Sequence, residues 1–112
     1  MQFRPLGNTG IEVSVLSFGG GPISSLMVGE DRELQNTVIA KCLEAGINWF
    51  DTAASYGAGR SECNLGRVLE ELGATSRIHV ATKVRLMPED SGNIRDAVRR
   101  SFDESLRRLR RP

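Results

Sequence analysis

The chain has 112 residues, enough for one ordinary domain and too few for two. Its hydrophobic share of 39% and charged share of 26% are ordinary for a globular protein. A net charge of +1 sets up no overall field toward nucleic acid or an anionic membrane. No apolar run approaches the roughly 18 residues that a bilayer span needs. The start Met1-Gln2-Phe3-Arg4-Pro5 lacks the apolar core of a secretory signal, so the expected location is cytoplasmic.

In chain order, Phe3 to Leu6 and Ile11 to Val13 flank Gly7-Asn8-Thr9-Gly10, which predicts a β-hairpin. The apolar run Val13 to Phe18, ending in Gly19-Gly20-Gly21-Pro22, predicts the first core strand and a loop. Asp31 is placed to cap a first helix with Leu34, Val38, Ile39, Cys42 and Leu43 on its apolar face and Gly46 just past its end. Ile47 to Thr52 predicts the second strand. Ser61 is expected to cap a second helix whose apolar face is Leu65, Val68, Leu69 and Leu72, closed by Gly73. Gly66 inside that helix costs about 1 kcal/mol against Ala, so a close backbone approach is expected there. Ile78 to Lys83 predicts the third strand. Ser91 or Asn93 opens the last helix, with Ile94, Val98, Phe102, Leu106 and Leu109 on one face.

Two cysteines, Cys42 and Cys63, make no disulfide framework and are expected as buried, inert thiols. With His79 as the only histidine and no ligand spacing, no metal site is expected. Met27 and Met87 fall in loops, where they line a pocket or fill surface. Seven of the fifteen Lys and Arg residues lie between Arg95 and Arg111. Cations near a helix C-terminus complement its dipole. Acidic residues are interleaved and no aromatic is placed to stack on bases, so no nucleic-acid partner is expected.

Strands alternating with helices after a hairpin imply an α/β fold with a parallel sheet and right-handed crossovers. Three parallel strands alone would leave open edges through which the chain could self-associate. Sheets of this kind belong to larger folds such as (β/α)8 barrels of about 250 residues. The chain is therefore expected to be the front part of a longer design, a partial barrel over residues 1–112.

Asp51 and Lys83 each close a predicted strand, and Tyr56 follows the first of them by five residues. A carboxylate, a phenol and an ammonium at one edge of a parallel sheet can form a proton-donor site. A phenol is a weak acid at neutral pH, and a positive charge at about 4 Å is worth about 4 kcal/mol at an effective dielectric near 20. The bland alternative is a structural ion pair beside an incidental tyrosine. Alternation puts Ile47, Trp49 and Asp51 on one strand face, with Asp51 at the rim and Trp49 as core. Gly19, Gly20 and Gly21 lie at the same rim, where small residues admit a flat ring or simply make a turn. A dinucleotide-binding doubly wound sheet is the rival reading of Gly19-x-Gly21. Its third glycine position is Ser24, and Pro22 and several further residues separate the turn from the helix.

The string Gly46-Ile47-Asn48-Trp49-Phe50-Asp51-Thr52-Ala53-Ala54-Ser55-Tyr56-Gly57-Ala58-Gly59-Arg60-Ser61-Glu62 resembles the aldo-keto reductase family. The Pro-Leu-Gly-x-Thr-Gly start, the Ser-Glu-x-x-Leu-Gly helix opening and the Ala-Thr-Lys strand end extend the resemblance over nearly the whole chain. It implies a (β/α)8 TIM-type barrel of which the N-terminal hairpin and first three βα units are present, with residues 2–13 plugging the barrel bottom. It implies NADPH-dependent reduction of a small carbonyl substrate. Asp51, Tyr56 and Lys83 match three of the family's four catalytic residues; Gly19, Gly20, Gly21 and Asp51 are the expected cofactor contacts. The fourth, a histidine, has no match. His79 lies four residues before Lys83, about 13 Å at about 3.3 Å per residue, toward the wrong end of the strand. The resemblance also admits a regulatory binding protein on the same scaffold, since some members serve as channel subunits, or a truncated remnant.

Overall fold

The computed structural model describes all 112 residues. Strands β1 (Phe3–Pro5) and β2 (Glu12–Ser14) form the antiparallel hairpin, pairing Phe3 with Ser14 and Pro5 with Glu12. Strand β3 (Phe18–Gly19), helix α1 (Arg32–Glu44), β4 (Trp49–Asp51), helix α2 (Arg60–Glu71), β5 (His79–Ala81) and helix α3 (Ile94–Arg108) follow in order. The three later strands make a parallel sheet in the order β3-β4-β5. Short 3-10 turns at Pro22–Ser24 and Pro88–Gly92 precede α1 and α3.

The predicted first core strand is broken in two. Val13 and Ser14 belong to the hairpin, and the chain bends before Phe18 re-enters the parallel sheet. Asn48 explains the break. Its side chain accepts from the Ser14 amide at 2.7 Å and donates to the Glu12 carbonyl at 2.9 Å, while its own amide meets Ser14 Oγ at 3.1 Å. The hairpin is thereby tied to the entry of β4 rather than running on into β3.

Phe50 is fully buried and packs with Ile39, Leu65, Val68, Leu69, Ile78 and Leu109 in one core between sheet and helices. Trp49 and Asp51 take the opposite face, as strand alternation requires. Trp49 is half-buried and lies outside that core, facing His79 at 6.4 Å between ring centroids.

Asp31 caps α1 by accepting from the Leu34 amide at 2.9 Å, and Gly46 adopts φ +83° just past its end. Leu34 is exposed, however, and the buried face carries Gln35 beside Ile39. Gln35 is satisfied on every side: it donates to the Leu26 and Gly29 carbonyls and accepts from Arg67. Met27, expected in a loop at the rim, is in the core. Cys63 is exposed on α2, away from its buried face, while Cys42 is half-buried and its thiol is pushed up by burial.

The face of α3 also departs from expectation. Leu109 is buried as expected, but Ala97 and Ser105 are the other buried positions, while Ile94, Val98 and Phe102 stand exposed. The helix packs chiefly on α2 and on its own preceding turn, and the Ile94-Val98-Phe102 stripe is left exposed. Gly66 marks the contact that does form. A Cβ there would lie 2.5 Å from the Arg108 carbonyl oxygen and 2.6 Å from the Leu109 carbonyl carbon, so only glycine lets α3 approach.

Candidate active site

Asp51 ends β4 and lies in register with Gly19 of β3 and Ala81 of β5. Lys83 lies two residues past Ala81. Its Nζ donates to Asp51 Oδ1 at 2.8 Å, Asp51 Oδ2 at 2.9 Å and the Thr52 carbonyl at 3.0 Å. An ammonium has three protons, and these three acceptors account for them. The same nitrogen stands 5.3 Å from the centroid of the Tyr56 ring, within cation–π range. The hydrogen bond with Asp51 holds the Lys83 amine above its ordinary value, burial works against that, and Tyr56 adds a smaller pull in the same direction as Asp51. The three residues expected at one rim are thus brought together.

Tyr56 owes its place to an unusual turn. Gly57, Ala58 and Gly59 all have positive φ, and Ala58 does so at 55° without the freedom of glycine. The Tyr56 amide donates to the Ala53 carbonyl at 3.0 Å, and its carbonyl accepts from the Ser61 amide at 3.3 Å. The ring is held between strand end and helix start.

Tyr56 and Asp51 share a groove of about 430 Å³ with Gly19, Gly21, Pro22, Ile23 and Ser24. A Cβ at Gly19 would meet nothing within 4 Å, and one at Gly21 only Tyr56 Cε2 at 3.9 Å. Internal packing therefore does not demand glycine at either position, and both backbones are open to the groove. Gly20 differs: it is buried, and a Cβ there would come within 2.8 Å of Ser61 Oγ and 3.2 Å of the Asp51 carbonyl. Of the three glycines expected to face a cofactor, Gly20 instead serves the packing beneath the rim. The glycine turn leads to a 3-10 turn, and α1 starts only at Arg32, so no helix N-terminus meets it as a doubly wound phosphate site requires.

His79 pairs with Trp49, at the far end of the strand pair from Asp51 and Ala81, and takes no part in the site. Arg100, Arg108 and Arg110, three of the seven arginines between Arg95 and Arg111, are matched by Asp90, by Glu62 and Glu104, and by Glu70.

Four further polar residues surround the site. Ser61 does not cap α2; Gly59 does, and Ser61 is the second helical residue, fully buried. Its hydroxyl pairs with Thr52 Oγ1 at 2.8 Å and donates to the Gly20 carbonyl at 2.8 Å. Glu62 is 0% exposed, and it accepts from Thr82 Oγ1 at 2.6 Å and from Arg108 at 3.0 Å. One signal could have exposed Glu62 in the sequence: it stands three and seven residues before Leu65 and Leu69, on the apolar face of the helix.

A sequence profile described as the Aldo/keto reductase family matches residues 15–111. The chain belongs to this family. It is 39% identical over 112 residues to L-galactose dehydrogenase of Arabidopsis thaliana, covering 97% of this chain and 34% of that protein. It is 34% identical to a probable voltage-gated potassium channel subunit beta of the same plant, covering 97% and 34%. Among solved structures, it matches the holo form of an aldo-keto reductase from Bacillus halodurans at a TM-score of 0.79 and 31% identity, over 99% of this chain and 37% of that one. The chain spans about a third of the length of these relatives. Its fold is that of the N-terminal portion of the family's (β/α)8 barrel.

Proposed function

We propose that these residues form the proton-donor part of a site that reduces an aldehyde or ketone to an alcohol with NADPH. The observation that carries this reading is the shared Lys83 ammonium, bonded to Asp51 and set 5.3 Å from the Tyr56 ring beside an open, glycine-lined groove. Tyr56 gives its phenolic proton to the carbonyl oxygen of the substrate. Lys83 stabilises the negative charge left on the phenol oxygen. Asp51 keeps Lys83 protonated and fixed beneath the ring.

NADPH fits this part of the chain at its nicotinamide end. The open backbones of Gly19 and Gly21 admit a flat ring, and the Asp51 carboxylate can accept from a ribose hydroxyl. When bound, the cofactor supplies the hydride to the carbonyl carbon. No Lys or Arg lines the groove to meet an adenosine phosphate, so that grip falls to other parts of a barrel. These 112 residues alone are then incomplete for turnover. The hairpin of residues 2–13 plugs the barrel bottom, a role supported by its bonds to Asn48 at the entry of β4. The open edges of the sheet leave the isolated chain prone to self-association.

A second reading, a non-catalytic or regulatory binding protein on this scaffold, is favoured by the similarity to a channel subunit beta. The intact bonding of Asp51, Tyr56 and Lys83 favours catalysis. The test is NADPH oxidation in a complete barrel carrying these residues, with a panel of aldehydes and ketones. Lys83→Met should lower turnover by about 100-fold or more. Undiminished turnover in that variant would favour the scaffold reading.

A further inference from the structure

The two buried residues that open α2 sit where they can govern the catalytic pair. Ser61 reaches Thr52, the residue after Asp51, and Glu62 reaches Thr82, the residue before Lys83. Consecutive helical residues point about 100° apart, so one turn of helix can hold two neighbouring strand ends at a set spacing. Ser61 also binds the Gly20 carbonyl, and the Gly20 amide donates to the Asp51 carbonyl at 2.7 Å. The Thr52 amide donates to the Ala81 carbonyl at 2.8 Å, which joins β4 to β5 at the same level. Glu62 keeps its second oxygen on Arg108, whose guanidinium is shared with Glu104. Each buried polar group in this chain of contacts is satisfied, which makes the arrangement stiff rather than merely tolerated.

The geometry points to Ser61 and Glu62 as positioning residues that fix the Asp51 carboxylate against the Lys83 ammonium through Thr52 and Thr82. The inference rests on reading Asp51 and Lys83 as the working pair. It assigns the Ser-Glu dipeptide a task in the site besides helix packing. Removing the Thr82 hydroxyl frees the chain on the near side of Lys83 and loosens its amine from Asp51, while the Glu62–Arg108 pair stays in place.

The chain contains two lysines, Lys41 and Lys83, which supplies an internal reference. Lys41 lies on α1 and pairs with Glu44, remote in sequence from the tethers. The experiment is competitive acylation of the 112-residue chain at fixed pH, read by mass spectrometry as the Lys83-to-Lys41 labelling ratio. Thr82→Val should raise that ratio about three-fold, because an amine held less firmly by Asp51 is more often free to react. Thr82→Ser, which keeps the hydroxyl, should restore it. Ser61→Ala should raise the ratio in the same direction. A thermal melt on each variant separates loosening from unfolding, and if Thr82→Val does not fold, Ser61→Ala carries the test. An unchanged ratio in folded Thr82→Val, or in folded Ser61→Ala where it stands alone, overturns the assignment. So does failure of Thr82→Ser to restore it. Because the readout needs no turnover, failure of this assignment is told apart from failure of the functional reading, which shows instead as inactivity of a complete barrel.

Discussion

The Lys83 amine donates to both Asp51 oxygens and to the Thr52 carbonyl, and it lies 5.3 Å from the centroid of the Tyr56 ring. That arrangement has a pH signature. The folded state holds Lys83 above its ordinary value of 10.5, chiefly through the hydrogen bond to Asp51. A raised folded value means that the contact stabilises fully below 10.5 and is lost as pH climbs through the folded value. Lys83 is 52% exposed and Asp51 39%, so the gain is below about 1 kcal/mol. Denaturant unfolding of wild type and Asp51→Asn should show a small gap at neutral pH that closes above 10.5; a gap that widens there would contradict the pairing. Asp51, Tyr56 and Lys83 were legible in the sequence because each follows or ends an apolar run with a specific neighbourhood. Ser61 and Glu62 read only as a helix opening. Their partners Thr52 and Thr82 lie 9 and 20 residues away, and nothing local reveals such bonds.

At the scale of elements, the helices and strands were legible where local rules decide them. Asp31 and Gly46 bracket α1 as capping chemistry requires, and Asn93 opens α3. The apolar face read for α2 is the buried one; what failed was the Leu34 end of α1 and the stripe on α3. Periodicity finds an apolar stripe, but neighbours decide what covers it. Gln35 is buried because the carbonyls of Leu26 and Gly29 and the Arg67 guanidinium satisfy it, none of which is local to its helical turn. Gly66 is the converse, an anomaly in the sequence that correctly announced a close approach. Replacing it with Ala should help α2 by about 1 kcal/mol in propensity. The added Cβ would meet α3 backbone at 2.5 Å, and overpacking of that kind costs about 1–3 kcal/mol or more. A net loss in the unfolding free energy of Gly66→Ala is the expected result; a more stable variant would mean that α3 does not dock where the structure places it.

At the scale of the whole molecule, the order of strands and helices was readable because alternation leaves few topologies. The break between β2 and β3 was not, because it depends on Asn48 reaching back to a hairpin 34 residues earlier. The parallel sheet ends at β5, and α3 presents Ile94, Val98 and Phe102 as an exposed apolar stripe. These two features carry the proposal that the isolated chain self-associates. Sedimentation velocity across a concentration series should show mass rising with concentration. Phe102→Glu, at a side chain 54% exposed, should reduce that rise without lowering the melting temperature. A monomer at every concentration would refute the proposal.

The same residues that make the molecule recognisable also make its chemistry testable. In a complete barrel carrying this chain, carbonyl reduction and NADPH affinity should be measured side by side for wild type and Tyr56→Phe. The expected outcome is a loss of turnover of about 100-fold to 10,000-fold, the usual worth of a positioned proton donor, with NADPH affinity nearly unchanged. Turnover equal to wild type would contradict the assignment of Tyr56 as the acid and, with it, the purpose given to the Asp51–Lys83 pair beside it.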